Sequence, residues 1–402
     1  MHAPAEKPNF AKLRRELKEI QAALREQKLD GWLLYDLRAR NPIAGKLTGH
    51  GELSRRYFVM IPAEGEPHAL SHAIEDGPWA KWPWQRSVYS AWPRLEELIR
   101  ELTRGRKRVA MEISERDNVP VNDLVPAGVV ELVRSSGVDV VTSGDLISQF
   151  YSKWNAEDLA SHRRAAAIVA QVAHASFQRI GRAIAAGETV TEAAGQAWVV
   201  EDLIARGLPV GAGCMVAGPI GAANPHYDIV GNGAELKRGD TVLIDLWGKE
   251  SDDAIFADQT WMGYLGSEVP DRAASIFSVI RDARDAGVRF LEDAWRGGRK
   301  VVGGEVDDVV RNVVVAGGYG DAFVHRTGHS IDRAIHGMGP NIDNLETRET
   351  RTLIVGVGFS IEPGIYLQGD VGMRTEINVY MSENGPEVTT PGPQTSILTL
   401  LP

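Results

Sequence analysis

The long helical stretch from Ala156 to Ala185 constrains this chain more than any other feature. It is alanine-rich, suits close packing through small side chains, and stops ahead of Gly187. The sequence before it is of a different kind. Apolar positions Phe10, Leu13, Leu17, Ile20, Ala23 and Leu24 recur at steps of three and four between Asn9 and Lys28, so an amphipathic helix opens the chain and Gly31 ends it. Short β-branched and aromatic runs follow at Trp32 to Tyr35, Tyr57 to Ile61, Val88 to Trp92 and Val109 to Ile113. A helix over Pro93 to Leu102 and a short turn at Asn122 to Val125, stopped by Pro126, lie among them. Strands alternating with helices over about 150 residues describe a self-contained α/β domain. The boundary therefore falls at the long helix, giving expected domains of 1–154 and 155–402.

Downstream, a helix from Thr191 to Ala205 is capped by its threonine and by Gly207. The chain then turns glycine-rich and strand-like, with helices near Ala273 to Trp295 and Glu305 to Ala316. This half reads as α+β. Acid-bearing strand pairs recur in it, near Asp245 and Asp258 and again near Glu362 and Glu376, as a duplicated half-domain would leave them. No tandem repeat of solenoid period is visible.

Charge and cysteine content narrow the partners. A net charge of −10 with no Lys/Arg-rich block offers no face for nucleic acid or an anionic membrane. One cysteine, Cys214, cannot form an intramolecular disulfide, which fits a reducing cytoplasm. The opening residues lack a signal-peptide core, and no stretch approaches the roughly 18 apolar residues that span a bilayer, so the sequence reads as mature and soluble.

Four segments carry chemistry. In Val242 to Gly248 and Phe256 to Thr260, Asp245 and Asp258 punctuate apolar runs, where a charged carboxylate is costly unless paired or bound to a cation. Asp252 and Asp253 lie between them in a polar segment that reads as solvated loop. From His325 to His336, three of the ten histidines fall within twelve residues on a glycine-containing stretch, His325, His329 and His336. Imidazole is both a common metal ligand and a proton carrier near neutral pH. Glu362 lies in Ser360-Ile361-Glu362-Pro363-Gly364-Ile365-Tyr366, and Glu376 alternates with Arg374. Taken singly, each acid is an ordinary salt-bridge or cap residue. Two aspartates, two glutamates and a histidine together exceed the needs of a four-coordinate zinc and suit two divalent ions held by bridging carboxylates. No G-x-S-x-G elbow and no phosphate-binding G-x-x-x-x-G-K-[ST] loop is present.

The order Asp, Asp, His, Glu, Glu, with SIEPGIY and R-x-E, closely resembles the M24 metallopeptidases of pita-bread fold, and within them the proline-specific prolidase and aminopeptidase P branch. The resemblance implies an α+β pita-bread catalytic domain after a smaller α/β domain. It implies that Asp245 chelates one ion, that Asp258 and Glu376 bridge both, and that His329 and Glu362 complete the other. Glu362 is then also the general base. His226, in Ala223-Asn224-Pro225-His226-Tyr227, matches the histidine lining the substrate pocket, and His336 the one steadying the tetrahedral intermediate. His325 matches a supporting residue, and Arg374 is expected to pair with the bridging acid. Manganese is the expected ion, with cobalt or zinc as alternatives, and proline-containing dipeptides or short peptides the expected substrates of a cytoplasmic homodimer.

Two departures stand out. Thirteen positions separate Asp245 from Asp258, more than in the family, so a hairpin extension is expected at Lys249 to Ala254. After His329 and after His336, Asp332 and Gly337 stand where the family favours a glycine and an acid. The segment from Trp79 to Trp84 reads as core packing ahead of a dimer contact or a capping loop. Competing with the dipeptidase reading are aminopeptidase P activity on longer peptides, a metal-free creatinase-like hydrolase, and a non-catalytic binding module on the same scaffold. The full ligand set argues against the last two.

Overall fold

A computed structural model describes residues 10–402, so Asn9, where the expected opening helix starts, and the opening residues lie outside the described residues. The chain separates into two compact units, one ending at Tyr151 and the other spanning Ser152–Pro402.

In the first unit, β1 (Gly31–Asp36), β2 (Tyr57–Pro62), β3 (His68–His72), β4 (Gln85–Tyr89), β5 (Arg108–Met111) and β6 (Asp139–Thr142) form one mixed sheet in the order β4-β3-β2-β1-β5-β6. β1 and β2 are buried along their whole length, which is why they read as continuous apolar runs rather than alternating ones. Around them lie α1 (Ala11–Glu26), α2 (Pro42–Thr48), α3 (Trp92–Thr103), α4 (Ala127–Arg134) and the short α5 (Gly144–Ile147). The strand expected at Val88 to Trp92 is corrected: it runs from Gln85 to Tyr89, and Trp92 opens α3. Pro93 accounts for this, because its fixed φ suits a first helical turn while its missing N–H cannot serve a ladder. Trp79 is buried against Phe10, His50 and Tyr57, so at least this tryptophan packs a core.

One buried carboxylate organises this unit. Glu112 accepts from Trp32 Nε1 at 2.5 Å, Asn41 Nδ2 at 2.7 Å and Ser143 Oγ at 3.1 Å. Burial pushes its carboxyl up to about 7, against the three hydrogen bonds. Glu112→Leu strands three buried donors at once, so a loss of about 3 kcal/mol or more is expected in the urea unfolding of this unit. A shift within about 0.5 kcal/mol would show those donors to be satisfied some other way.

The second unit is built twice over. Its first half runs α6 (Ala156–Ala185), α7 (Glu192–Ala205), β7 (Val210–Ala217), α8 (Pro219–Ala222), β8 (Thr241–Lys249) and β9 (Ala257–Tyr264). The second runs α9 (Asp271–Arg296), α10 (Gly303–Ala316), β10 (Ser330–Ile331), β11 (Gly358–Ile361), β12 (Gly364–Leu367), β13 (Val371–Arg374), β14 (Ile377–Ser382) and β15 (Gly385–Val388), and β16 (Leu398–Thr399) returns to pair with β9. α6 starts on a capping box: Asn155 accepts from the N–H groups of Glu157 and Asp158, and Asp158 accepts from that of Asn155. Each half sets a pair of helices against an antiparallel strand pair, β8 with β9 and β11 with β14; one apolar core lies within the first half, and the core of the second half also takes in Met215, Leu243 and Met262 of the first.

The halves join where the acids lie. Asn378, on β14, accepts from the Asp258 N–H at 3.0 Å and donates to its carbonyl at 2.6 Å, while the Glu376 N–H donates to the Thr260 carbonyl at 3.2 Å. The acid-bearing ends of both strand pairs therefore meet at one seam.

Candidate metal centre

Alternation along a strand fixes which side chains face that seam. On β9, Asp258 and Thr260 are two residues apart and share a face, and Asp245 is the register partner of Thr260 on β8. Glu362 directly follows β11, and Glu376 directly precedes β14, where Ile361 pairs with Ile377. His329 directly precedes β10, its N–H donating to Ser360 Oγ at 2.9 Å. Asp245, Asp258, His329, Glu362 and Glu376 line one cavity of about 330 Å³, together with His226, His325, His336 and Arg374.

At its floor, Asp258, His329 and Glu376 offer ligand atoms within 4.8 Å of one another. His329 Nε2 lies 3.4 Å from Asp258 Oδ2 and 3.5 Å from Glu362 Oε1. Burial opposes protonation of His329, but Asp258 and Glu362 outweigh it and hold the imidazole above its usual value. Burial raises Asp258, and raises Asp245 to about 7; Glu376 is raised well above the carboxylate range, by burial and then by Asp258, Glu362 and Asp245. Only Glu362 is held down: burial pushes it up, but His329 and Arg374 prevail.

The donor set fits divalent cations. Asp258 Oδ1 and Glu376 Oε1 are buried oxygens without a hydrogen-bond partner, a costly state that a bound cation relieves. Asp245, Asp258, Glu362 and Glu376 cluster with the His329 imidazole, and a mixed oxygen and imidazole set suits first-row divalent ions.

Arg374 departs from expectation. Its guanidinium pairs with Asp245 and donates from Nε to Thr260 Oγ1 at 3.0 Å, rather than pairing with Glu376. The period-two reading of Arg374 and Glu376 fails because β13 ends at Arg374 and β14 begins at Ile377, so no continuous strand joins the two residues. The hairpin turn leaves Asp252 and Asp253 exposed, away from the buried Asp258.

The histidines divide by depth. His325 donates or accepts through Nε2 with the buried Tyr366 hydroxyl at 2.7 Å, and burial lowers it to about 4. His226 and His336 stand exposed on the cavity wall. The His336 ring meets that of His329 edge-on at 4.5 Å, and partial desolvation by the cavity wall, then His329, lowers its pKa to about 4 although the ring keeps a solvent-facing side.

Other contributors were not singled out beforehand. Thr260 Oγ1 contacts Asp245 at 3.1 Å and Glu376 at 2.8 Å. Ser360 Oγ donates to Glu362 Oε1 at 3.0 Å. Trp247 lines the cavity with Ile335 and Pro225, in space that Gly213 provides, since a Cβ there would lie 2.7 Å from the indole. Ser360 and Tyr366 lie inside the SIEPGIY motif and Thr260 two residues past Asp258, so local signals existed for all three.

Two halves, each running from a helix pair into antiparallel strands and meeting around carboxylates and an imidazole, define the pita-bread class of fold. The sequence profile of metallopeptidase family M24 matches residues 160–383, more than half of the chain. The chain belongs to that family. It is 30% identical over 267 residues to a Mycobacterium tuberculosis protein described as probable dipeptidase PepE, covering 66% of each chain. It is 34% identical over 164 residues to a Lactobacillus delbrueckii Xaa-Pro dipeptidase, covering 41% of this chain and 40% of that one. The matches thus span just under two thirds of the first relative and less of the second. Dipeptidase PepE from Mycobacterium ulcerans superposes with a TM-score of 0.70 at 24% identity, covering 98% of this chain and 99% of the other. The prolidase from Thermococcus sibiricus gives 0.63 at 20% identity, covering 96% and 99%. These overlays carry the fold. Among the described residues, no helix is long and apolar enough to cross a membrane.

Proposed function

We propose that this protein hydrolyses the Xaa-Pro bond of dipeptides with two divalent metal ions, manganese first among them. The observation that carries the reading is the convergence of Asp245, Asp258, His329, Glu362 and Glu376 on one cavity, with two buried carboxylate oxygens left unpartnered. These five residues would hold the ions. When bound, such ions acidify water and polarise a carbonyl oxygen.

The chain's own side chains do the rest. Ser360 anchors one oxygen of Glu362, leaving the carboxylate oriented to take a proton from the attacking water and return it to the leaving nitrogen. Of the two histidines on the wall, His336 would donate to the oxyanion that develops on the scissile carbonyl, and His226 would line the substrate pocket. Proline supplies a tertiary amide with no N–H, so its selection rests on shape, and Trp247, Ile335 and Pro225 give an apolar wall for a ring. A cavity near 330 Å³ is at the small end of ligand sites, which favours a dipeptide over a longer chain. The buried Cys214 thiol suits a cytoplasmic setting, and a homodimer is the proposed assembly, checked by light scattering.

The test is a panel of Xaa-Pro dipeptides, Xaa-Pro-Yaa tripeptides and Xaa-Ala controls, with Mn²⁺, Co²⁺ or Zn²⁺ and after chelation. Dipeptide cleavage that disappears with chelator and returns with metal is expected. Cleavage confined to tripeptides transfers the reading to aminopeptidase P, and turnover indifferent to chelator overturns the metal mechanism.

A further inference from the structure

Lys249 is a buried lysine that the mechanism above does not use. It closes β8 at the start of the extended hairpin turn, and among the described residues it makes no ion pair. Its ammonium donates instead to two backbone carbonyls, that of Asp252 at 2.8 Å within the turn and that of Arg333 at 2.7 Å in the loop leading to His336. It also lies 4.9 Å over the Phe256 ring, and the Phe256 N–H donates to the Asp332 carbonyl at 3.1 Å. A lysine buried without a direct ion pair is a costly placement, offset only in part by the nearby charges of Asp252, Asp332 and Asp253. What it achieves here is to tie two loops together at a fixed spacing.

The loop it grips is otherwise tightly wound. The Asp332 carboxylate accepts from the N–H groups of Ala334 at 2.7 Å and Met338 at 3.1 Å, and the Gly337 N–H donates to the Ser330 carbonyl at 2.7 Å. Gly337 also provides room, since a Cβ there would lie 2.8 Å from Asp332 Oδ2. Arg333 reaches away to pair with Asp158 at 2.7 Å, at the start of α6. Within this winding, His336 projects into the cavity against His329. The loop is thus internally rigid and fastened at Arg333, three residues before His336. The hairpin turn and the segment from Asp332 to Gly337 are joined through these bonds.

We propose that Lys249 is a positioning residue: by clamping the hairpin turn to the Arg333 carbonyl, it holds the loop that presents His336 to the substrate. The inference rests on the proposed role of His336. A residue acting through His336 must lose its effect when His336 is gone.

The experiment is a double-mutant cycle on the full, manganese-loaded chain with an Xaa-Pro dipeptide. K249M is expected to lower kcat about tenfold, as a displaced catalytic group does, with KM and bound metal unchanged. In the H336A background K249M is expected to cost nothing further. K249R, which keeps charge and donors, is expected to recover most of the loss, and K249Q, which shortens the side chain and removes its charge, replaces K249M in the cycle if K249M fails to fold. Wild-type kcat in K249M, multiplying losses in the double variant, or loss of metal in K249M overturns the proposal. A readout without turnover separates this from the peptidase reading. In histidine-labelled protein the His336 imidazole resonance should move in K249M and not in D253N, and an unmoved resonance overturns the clamp even if no peptide is ever cleaved.

Discussion

Glu362→Gln is expected to keep its metal and lose about 10³-fold in kcat. The substitution preserves shape, and the amide oxygen can still accept from Ser360 Oγ, which lies 3.0 Å from Oε1 in the native residue. Asp245, Asp258, His329 and Glu376 remain to retain cations. What is lost is a group able to accept a proton and release it, which is the part assigned to Glu362. The test measures kcat and bound metal on one preparation, so that an empty site is not mistaken for a missing base. Undiminished kcat removes Glu362 from the proton transfer. Lost metal alongside lost kcat assigns it to holding ions instead.

The sequence reading was strongest where a signal is local. α6 has the bounds its alanine-rich pattern gave, Ala156 to Ala185, and α7 begins after the threonine read as its cap. Each of the site acids stands in a motif of a few residues. Elements that failed to register are short or depend on partners. β3 and β6 are strands of five and four residues with partly exposed positions, so neither has an apolar run to announce it. α2 carried a readable start, with Asn41 as cap and Pro42 in its first turn, that went unread.

The same contrast holds within the site. Asn378 reaches Asp258 across 120 residues and Thr260 reaches Glu376 across 116, and neither pairing leaves a trace in its neighbours along the chain. Arg374 shows the opposite failure. Its alternation with Glu376 suggested a shared strand face, but the strand ends between them and the arginine turns to Asp245. Local spacing names candidates, and pairing across the seam decides what each one touches.

Metal binding should stabilise the protein more strongly as pH rises through about 7, and Asp258→Asn should abolish most of that gain. In the metal-free fold, burial raises Asp245 to about 7 and Glu376 well above the usual range. A carboxyl whose folded pKa is raised holds a proton that the unfolded chain has already released. Its contribution to stability therefore falls as pH climbs from about 4, the unfolded value, toward 7. Buried histidines act with the opposite sign. His162 and His325, lowered to about 4 by burial, cost stability as pH falls below about 6.5. The metal-induced shift in Tm, rather than Tm itself, isolates the ligand group, because cations bind the ionised carboxylates and the neutral His329 imidazole and must displace their protons. The shift should grow between pH 5.5 and 7.5, with proton release visible by calorimetry in two buffers of different ionisation enthalpy. At saturating metal it should reach the equivalent of about 3 kcal/mol at a hundredfold excess over Kd. Asp258→Asn removes a ligand oxygen from the floor of the cavity, whereas Asp253→Asn alters only the exposed turn and should leave the shift intact. A shift independent of pH would deny the buried carboxylates their protons, and loss of the shift in Asp253→Asn but not Asp258→Asn would move the cation site into the turn.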